Sequence, residues 1–390
     1  MLISLWYRIH LKILLMMVIG GFSGSIWSES ENVPDPGSAA QRFQSIWNAA
    51  TLYQNPDNPV IQSFSLVGRY HGQYWSVDAD QGEADGWENR RMIFGFQSGI
   101  YSDFLVELQI KINDDFSPVY EELYTAFVKW TPGETDFSAY LGRVDYVFIG
   151  MERSTSSKKI ATFERGLLVG QLTPGEAVGL HLETKFDALT VHTGVYSGSI
   201  NEEFSDFDAG IAVELGFGYG LPLLYDQGTL HLDFLYNDGN QDNNAFKPYR
   251  QVVSLWHQGN RGSFGLGMDL TSGSGGFDGQ ADVLGFTLLP TYDISNSLLI
   301  GGDKLQLALR YQYVDSDGEN GLLLPKRYEQ EVTSGEGDSY QAFYIGFNYL
   351  LYGDRLKFMA GAEYAKMEDS VNDGGEFRGW TYLAGLRLYF

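Results

Sequence analysis

The chain has 390 residues, no cysteine, 47 glycines and only 11 prolines, and its 26 Lys and Arg against 50 Asp and Glu give a formal net charge of −24. The absence of cysteine excludes a disulfide framework, thiolate metal sites, a cysteine nucleophile and a lipidated N-terminal cysteine. The acidic balance argues against nucleic acid as a partner, because phosphates require a basic face.

At the N-terminus Arg8, His10 and Lys12 flank an apolar run over residues 13–22, followed by Ser23, Gly24 and Ser25. A basic region, a short apolar core and small residues predict a secretory signal peptide over residues 1–28, cut after Ser25 or Ser28. The run is shorter than the ~20 residues a spanning helix needs. Residues 29–61 form a separate N-terminal segment. Ser38 and Gln41 make a capping box, and Phe43, Ile46, Trp47 and Ala50 share one helical stripe, so the spacing predicts a short amphipathic helix from Ser38 to Tyr53. Asn55-Pro56-Asp57-Asn58-Pro59 ends it. Two positions are open to this helix, the mouth of a barrel or the periplasm.

From residue 62 to the end the pattern changes to period two. Sixteen strands are expected, at 62–78, 88–102, 104–114, 120–131, 137–146, 176–186, 188–199, 207–220, 228–238, 249–259, 261–272, 281–294, 303–315, 339–352, 355–368 and 377–390. The last is the clearest: Trp380, Tyr382, Ala384, Leu386, Leu388 and Phe390 form an apolar row with aromatics at both ends. Thr381, Gly385 and Arg387 lie on the other face. Aromatic belts around an aliphatic middle suit a strand crossing a bilayer. Elsewhere Leu305, Leu307, Leu309, Tyr311 and Tyr313 oppose Gln306, Arg310 and Gln312. A charge facing lipid near the midplane costs about 2–4 kcal/mol, so the charged rows must point inward. Only the strand around Val252–His257 leaves its register ambiguous.

The junctions carry an independent signal. Even-numbered ones are mostly tight, at 101–103, 131–134, 186–187, 257–261 and 352–354, though those around Pro222 and Ser297 are longer. Odd-numbered ones tend to be long and acidic, at 78–88, 237–247, 315–338 and above all 148–175. Sorting of loops by parity is the habit of outer-membrane barrels. The fold expected is therefore all-β, a transmembrane antiparallel β-barrel of about sixteen strands over residues 62–390, closed by pairing of the last strand near Phe64–Arg69. Such a tube is too wide for side chains to fill and should hold water. A water-filled tube in the outer membrane of a Gram-negative-type cell is a pore.

Two stretches go further. Asn89-Arg90-Arg91-Met92-Ile93-Phe94-Gly95-Phe96 opens the second strand, and the longest loop region carries Arg143, Arg153-Ser154-Thr155-Ser156-Ser157-Lys158-Lys159 and Thr162-Phe163-Glu164-Arg165-Gly166-Leu167. With the ending from Ala342 to Phe390, these segments resemble the phosphate-selective porins of the O and P type. The resemblance spans most of residues 62–390 and implies a homotrimer whose third external loop folds inward as a constriction. It also implies that Phe390 is presented to the barrel assembly machinery. The chain departs from that family in its acidity. Its expected inward acids include Glu107, Glu183, Asp233, Asp269 and Glu363, so the resemblance alone does not carry phosphate selectivity.

Selectivity in a pore is set by charge where the tube is narrowest. The expected constriction comprises Arg91, Lys111, Arg153, Lys158, Lys159 and Arg165. The expected pore lining adds Arg69, Lys129, Lys185, Arg310, Lys357 and Arg387. Solutes would be phosphate or other small anions; the alternative is a general or cation-leaning diffusion pore, and a more remote one is a barrel enzyme. No cofactor and no metal is expected. The acidic stretches 78–83 and 315–319 glance toward calcium loops but lack a twelfth-position Glu, and a solvated loop or bridging to surface lipid accounts for them. His71, His181, His192 and His231 are expected to point inward on separate strands. No His-Glu-x-x-His or Gly-x-Ser-x-Gly accompanies them, and no serine is placed to partner His192.

Overall fold

A computed structural model describes residues 39–390, apart from 278, 296–297, 299–301 and 325–326. The signal peptide expected over residues 1–28 lies outside the described residues. Among these, sixteen long strands form the wall. The first eight are β1 (Ile61–Ala79), β2 (Gly82–Ile100), β3 (Phe104–Ile112), β4 (Tyr120–Trp130), β5 (Phe137–Val144), β6 (Ala177–Phe186), β7 (Leu189–Ser197) and β8 (Ile211–Gly220). The others are β9 (Gln227–Asn237), β10 (Tyr249–Arg261), β11 (Phe264–Gly276), β12 (Val283–Ser295), β13 (Lys304–Ser316), β14 (Ser339–Asp354), β15 (Leu356–Glu368) and β16 (Phe377–Tyr389). Each pairs antiparallel with the next and β16 pairs with β1, which closes the barrel and removes its edges.

The seam runs from Tyr389↔Arg69 to Gly379↔Ala79, farther along β1 than Phe64–Arg69. Past that ladder the backbone of Phe390 exchanges hydrogen bonds of 3.1 Å with Gly68 in both directions. That leaves the edge of β1 bare below Gly68, and a short strand, Thr51–Gln54, covers it by pairing with Ser63–Ser65. The same pairing cuts the helix short. It runs as α1 (Ala39–Asn48) and does not reach Tyr53, because Thr51, Leu52 and Tyr53 gain strand hydrogen bonds there. Trp47 donates its indole N–H to the Tyr389 carbonyl at 2.6 Å, and Phe43 stacks on Tyr352. The helix therefore docks on the short-turn rim beside the seam.

Apolar side chains face outward and polar ones inward. Phe343, Ile345 and Phe347 of β14 and Leu230, Leu232 and Phe234 of β9 are exposed, while Asp233, Thr287, Gln312 and Asn348 are buried. The ambiguous β10 turns Val252, Ser254 and Trp256 inward and Val253 outward. Its inward apolar pair has a use, because the interior is not simply water. Residues 145–176 fold into the lumen, carrying α2 (Met151–Ser154) and α3 (Leu167–Leu172). Val147, Ile149, Phe163, Leu167, Leu168 and Leu172 join wall residues Tyr249, Val252, Val314 and Tyr344 in one buried cluster.

Two loops differ from expectation. Residues 78–88 are not a loop: β1 and β2 pair out to Ala79↔Gly82 around a two-residue turn, so the acidic positions lie on a hairpin. The region after β13 also turns inward. Leu322, Leu324 and Tyr328 are buried there, and Leu322–Leu323 pairs with Glu336–Gly337.

Candidate functional site

The inserted segment is held by a division of labour between the two sides of the wall. On one side, wall carboxylates accept its backbone N–H groups: Glu214 from Phe148 at 2.7 Å, Asp233 from Gly150 at 3.2 Å and Asp269 from Met151 at 2.6 Å. On the other, wall cations and amides donate to its carbonyls. Arg310 reaches the Glu164 carbonyl at 2.7 Å, Lys357 that of Ile160 at 2.9 Å, Asn348 that of Ala161 at 2.8 Å, and Arg387 that of Phe163. Arg310 also bridges the carboxylates of Glu152 and Glu363, both at 2.7 Å. Arg310, Lys357 and Arg387, expected along the pore, are 3%, 1% and 2% exposed, and each is engaged by the inserted segment. A buried backbone group left unpaired costs about 1–3 kcal/mol, which is why so many polar wall residues converge on one segment.

The other edge of the segment faces β1–β4 across open space. Toward the long loops lies a cavity of about 570 Å³ whose walls include Arg90, Arg91, Lys111, Tyr124, Asp145, Arg153, Arg165 and Arg327. Toward the short turns lies a smaller one of about 240 Å³ that includes Arg69, Glu107, Tyr124, Asp145, Arg153, Lys158 and Arg165. Tyr124, Asp145, Arg153 and Arg165 border both, and so frame the neck between them. A further cavity of about 570 Å³ opens at the short-turn end, bordered by Thr155 and Lys159.

Charge at the neck is unevenly compensated. Arg153 pairs with Asp145 at 2.8 Å and donates to the carbonyls of Pro174 and Gly175. Burial raises the Asp145 carboxyl, but Arg153 and Arg165 outweigh it and bring it to about 2, so the pair stays ionised and neutral as a unit. Lys111 is met by Glu122 and by Glu176 at 3.4 Å. Among the described residues Arg165 has only carbonyl acceptors, from Glu152 at 2.8 Å and Thr155 at 2.7 Å. Arg69 donates to the Ser157 hydroxyl at 2.6 Å and lies over the Tyr124 ring. Among the described residues Arg69, Arg165, Lys158 and Lys159 form no ion pair. Lys129 lies over the Tyr140 ring nearer the short-turn rim, and Lys185 is exposed beside the turn between β6 and β7.

One arginine was hidden from alternation. His71 pairs with Arg91 and Gln73 with Glu88, so Asn89 and Arg90 together oppose Gly72 in a bulge. Arg90 and Arg91 therefore both reach Glu164, at 2.9 and 3.9 Å, joined by Arg327 at 3.5 Å. Burial raises the Glu164 carboxyl, but these three guanidinium groups outweigh it and hold it well below the ordinary range. The loop that carries Arg327 and Tyr328 reads as acidic, which conceals their inward placement. The signal available was Leu322-Leu323-Leu324, too apolar for a solvated loop.

Lys158 offers a titration. Burial and the nearby Arg69 push its ammonium down to about 8. It is charged below that pH and neutral above it. Raising pH from 7 to 9 should therefore weaken any preference for anions with a midpoint near 8, read as reversal potential across a planar bilayer. Lys158→Arg should flatten that step, and an equal step in both proteins would remove Lys158 as its source.

The same architecture occurs in solved outer-membrane channels. The anion-selective porin of Comamonas acidovorans superposes with a TM-score of 0.58 at 13% identity, over 84% of this chain and 99% of that one. Salmonella typhi OmpF gives 0.56 at 13% identity, covering 87% of this chain and 100% of that one. The channel DcaP of Acinetobacter baumannii gives 0.55 at 11% identity, covering 84% and 97%. At such identities the likeness concerns the fold. No curated relative matches by sequence. The family model of the beta-barrel porin-2, OmpL-like group matches residues 75–379, most of the wall together with the inserted loop. The chain belongs to that family, and is a porin of the Gram-negative outer membrane, a channel and not an enzyme.

Proposed function

We propose that the pore passes small hydrophilic solutes by diffusion with a preference for anions, phosphate among them. The observation that carries this reading is the neck, where Arg165, with Arg69 and Lys158 on its short-turn side, has no carboxylate partner among the described residues, while Arg153 engages Asp145 and Lys111 engages Glu122 and Glu176; Glu107, hydrogen-bonded by Gln109 and Thr125, is the acid beside them that meets no cation. Rings of uncompensated charge at a constriction set the sign of the ion that enters. The resemblance to phosphate-selective porins supports phosphate as the solute to try first, and the porin of Comamonas acidovorans, which is anion-selective, agrees in sign. A second reading, a cation-leaning pore, is favoured by Glu88, Asp114, Glu121 and Glu176 around the outer cavity. The reading extends to a homotrimer, as described for Vibrio cholerae OmpT, to export through residues 1–28, and to assembly through Phe390.

Replacing Lys158 and Lys159 by Glu should move the zero-current potential toward cations, by about twofold in the permeability ratio, because these lysines flank the neck and do not occupy it. An unchanged potential would sink the assignment of these two residues. Competition by phosphate against chloride current in the unaltered pore tests the solute, and cation preference in that pore would decide for the second reading.

A further inference from the structure

The inward histidines expected on separate strands are brought together by the register. His192 of β7, Gly216 of β8 and Asp233 of β9 lie opposite one another in one row across three strands, with Gly218 and His231 in the next. We propose that this face holds a divalent transition-metal site of the zinc class, made by His192 Nε2, an Asp233 carboxylate oxygen and a ring nitrogen of His231. One ligand atom from each of the three residues lies within 4.8 Å of the others. His192 Nε2 is 3.4 Å from Asp233 Oδ1, close to the ~3.3 Å between ligands of a tetrahedral ion with bonds of about 2.05 Å.

Three further observations fit an ion. The first is unmet polarity: Asp233 is fully buried, and among the described residues its Oδ1 accepts no hydrogen bond and the buried Nδ1 of His231 has no partner. The second is an ordered outer shell. Glu214 Oε1 stands 3.1 Å from His192 Nδ1, which aims Nε2 at the site, and Trp256 donates to Asp233 Oδ2 at 2.5 Å. Trp256 also stacks on the His231 ring with centroids 3.8 Å apart. Carboxylate–histidine–metal arrays of this kind fix tautomer and ring orientation. The third is the seating of the rings: a Cβ on Gly216 would stand 1.9 Å from His192 Nε2, and one on Gly218 would stand 2.4 Å from His231 Cε1, so glycine at both positions is what lets the two imidazoles lie against the wall side by side. Two imidazoles and a carboxylate suit zinc, cobalt, nickel or copper, whereas calcium and magnesium want oxygen alone. The charges of Asp233 and Glu214 balance a dication. The ion would sit at the root of the inserted segment, since the same two carboxylates receive the N–H groups of Gly150 and Phe148.

The test is titration of the chelator-treated full chain, folded in detergent micelles, with Co2+. We expect one ion per chain with the strong visible absorption of four-coordinate cobalt, displaced by Zn2+. His192→Gln and His231→Gln should each weaken binding at least tenfold, and His257→Gln, outside the triad, should not. Absence of binding, only the pale spectrum of six-coordinate cobalt, or retention of strong binding in both variants would overturn the site. Should either variant fail to fold, the wild-type protein decides. Zn2+ must then protect His192 and His231, but not His257, from carbethoxylation mapped by mass spectrometry, and equal modification with and without Zn2+ overturns the proposal.

Discussion

Replacing Arg310 by Met should leave a folded barrel with an unfastened interior, and single-channel conductance should rise severalfold and become noisy. Arg310 is the point where the inserted segment is tied to β13 and β15: it bonds Glu152 and the Glu164 carbonyl on the loop and Glu363 on the wall. Methionine fills most of the volume but leaves two carboxylates without their cation. Removing one partner of a buried charge network costs about 3–5 kcal/mol. That penalty does not fall on the barrel, whose closed ladder of sixteen pairings is untouched. It falls on the loop, which escapes it by letting Glu152 swing into water. Glu152 caps the Gly166 N–H at 2.8 Å, so its departure frees the start of α3 as well. Limited proteolysis within residues 150–170 should speed up in parallel. Adding Glu152→Gln and Glu363→Gln to Arg310→Met should restore much of the loop's order, because the uncompensated charge is what drives it out. Unchanged conductance and unchanged proteolysis in Arg310→Met would mean that the carbonyl contacts of Lys357, Asn348 and Arg387 suffice by themselves.

The wall of this porin is legible in its sequence and the contents of the lumen only partly so, for a physical reason. A strand between lipid and a polar interior must alternate, and the sixteen strands fall within a few residues of where alternation places them, apart from the hairpin of β1 and β2. Alternation says which face a residue takes and nothing about its partner across the sheet. Arg310, Lys357 and Arg387 are inward cations, but only their meeting with loop carbonyls shows that they are fasteners. The gathering of His192, His231 and Asp233 depends on the register of three strands and on glycines at 216 and 218, none of which has a local signature. Arg90 is hidden by a bulge at Gly72, which breaks the parity from which its direction would be read. The inserted segment could be found because its length is anomalous. The inward turn of Tyr328 leaves a fainter trace, three consecutive leucines within an acidic stretch.

Arg165→Glu should reverse the preference at the neck. Arg165 borders both the outer and the inner cavity and has no ion-pair partner among the described residues. Its substitution by Glu therefore changes the local charge by two units where an ion is most confined. Two unit charges about 6 Å apart at an effective dielectric of ~20 interact by about 3 kcal/mol. Salt at physiological strength screens part of this, and the carboxylate of Glu107, which meets no cation among the described residues, already dilutes it. A net change of about 1.4 kcal/mol remains a reasonable scale, which is a tenfold change in the anion-to-cation permeability ratio. That exceeds the effect expected of Lys158 and Lys159, which lie to one side of the neck. Arg165 also holds the carbonyls of Glu152 and Thr155, so the charge effect must be separated from loosening of the loop. Arg165→Gln serves for that: it loses one charge and most of the same hydrogen bonding. If charge governs, the reversal potential should fall in two roughly equal steps from Arg to Gln to Glu, at a conductance that stays within a factor of two. If the loop loosens, Gln and Glu should behave alike, with conductance up and selectivity lost. The second pattern would remove Arg165 from the selectivity of the pore and leave it as a further fastener, alongside Arg310.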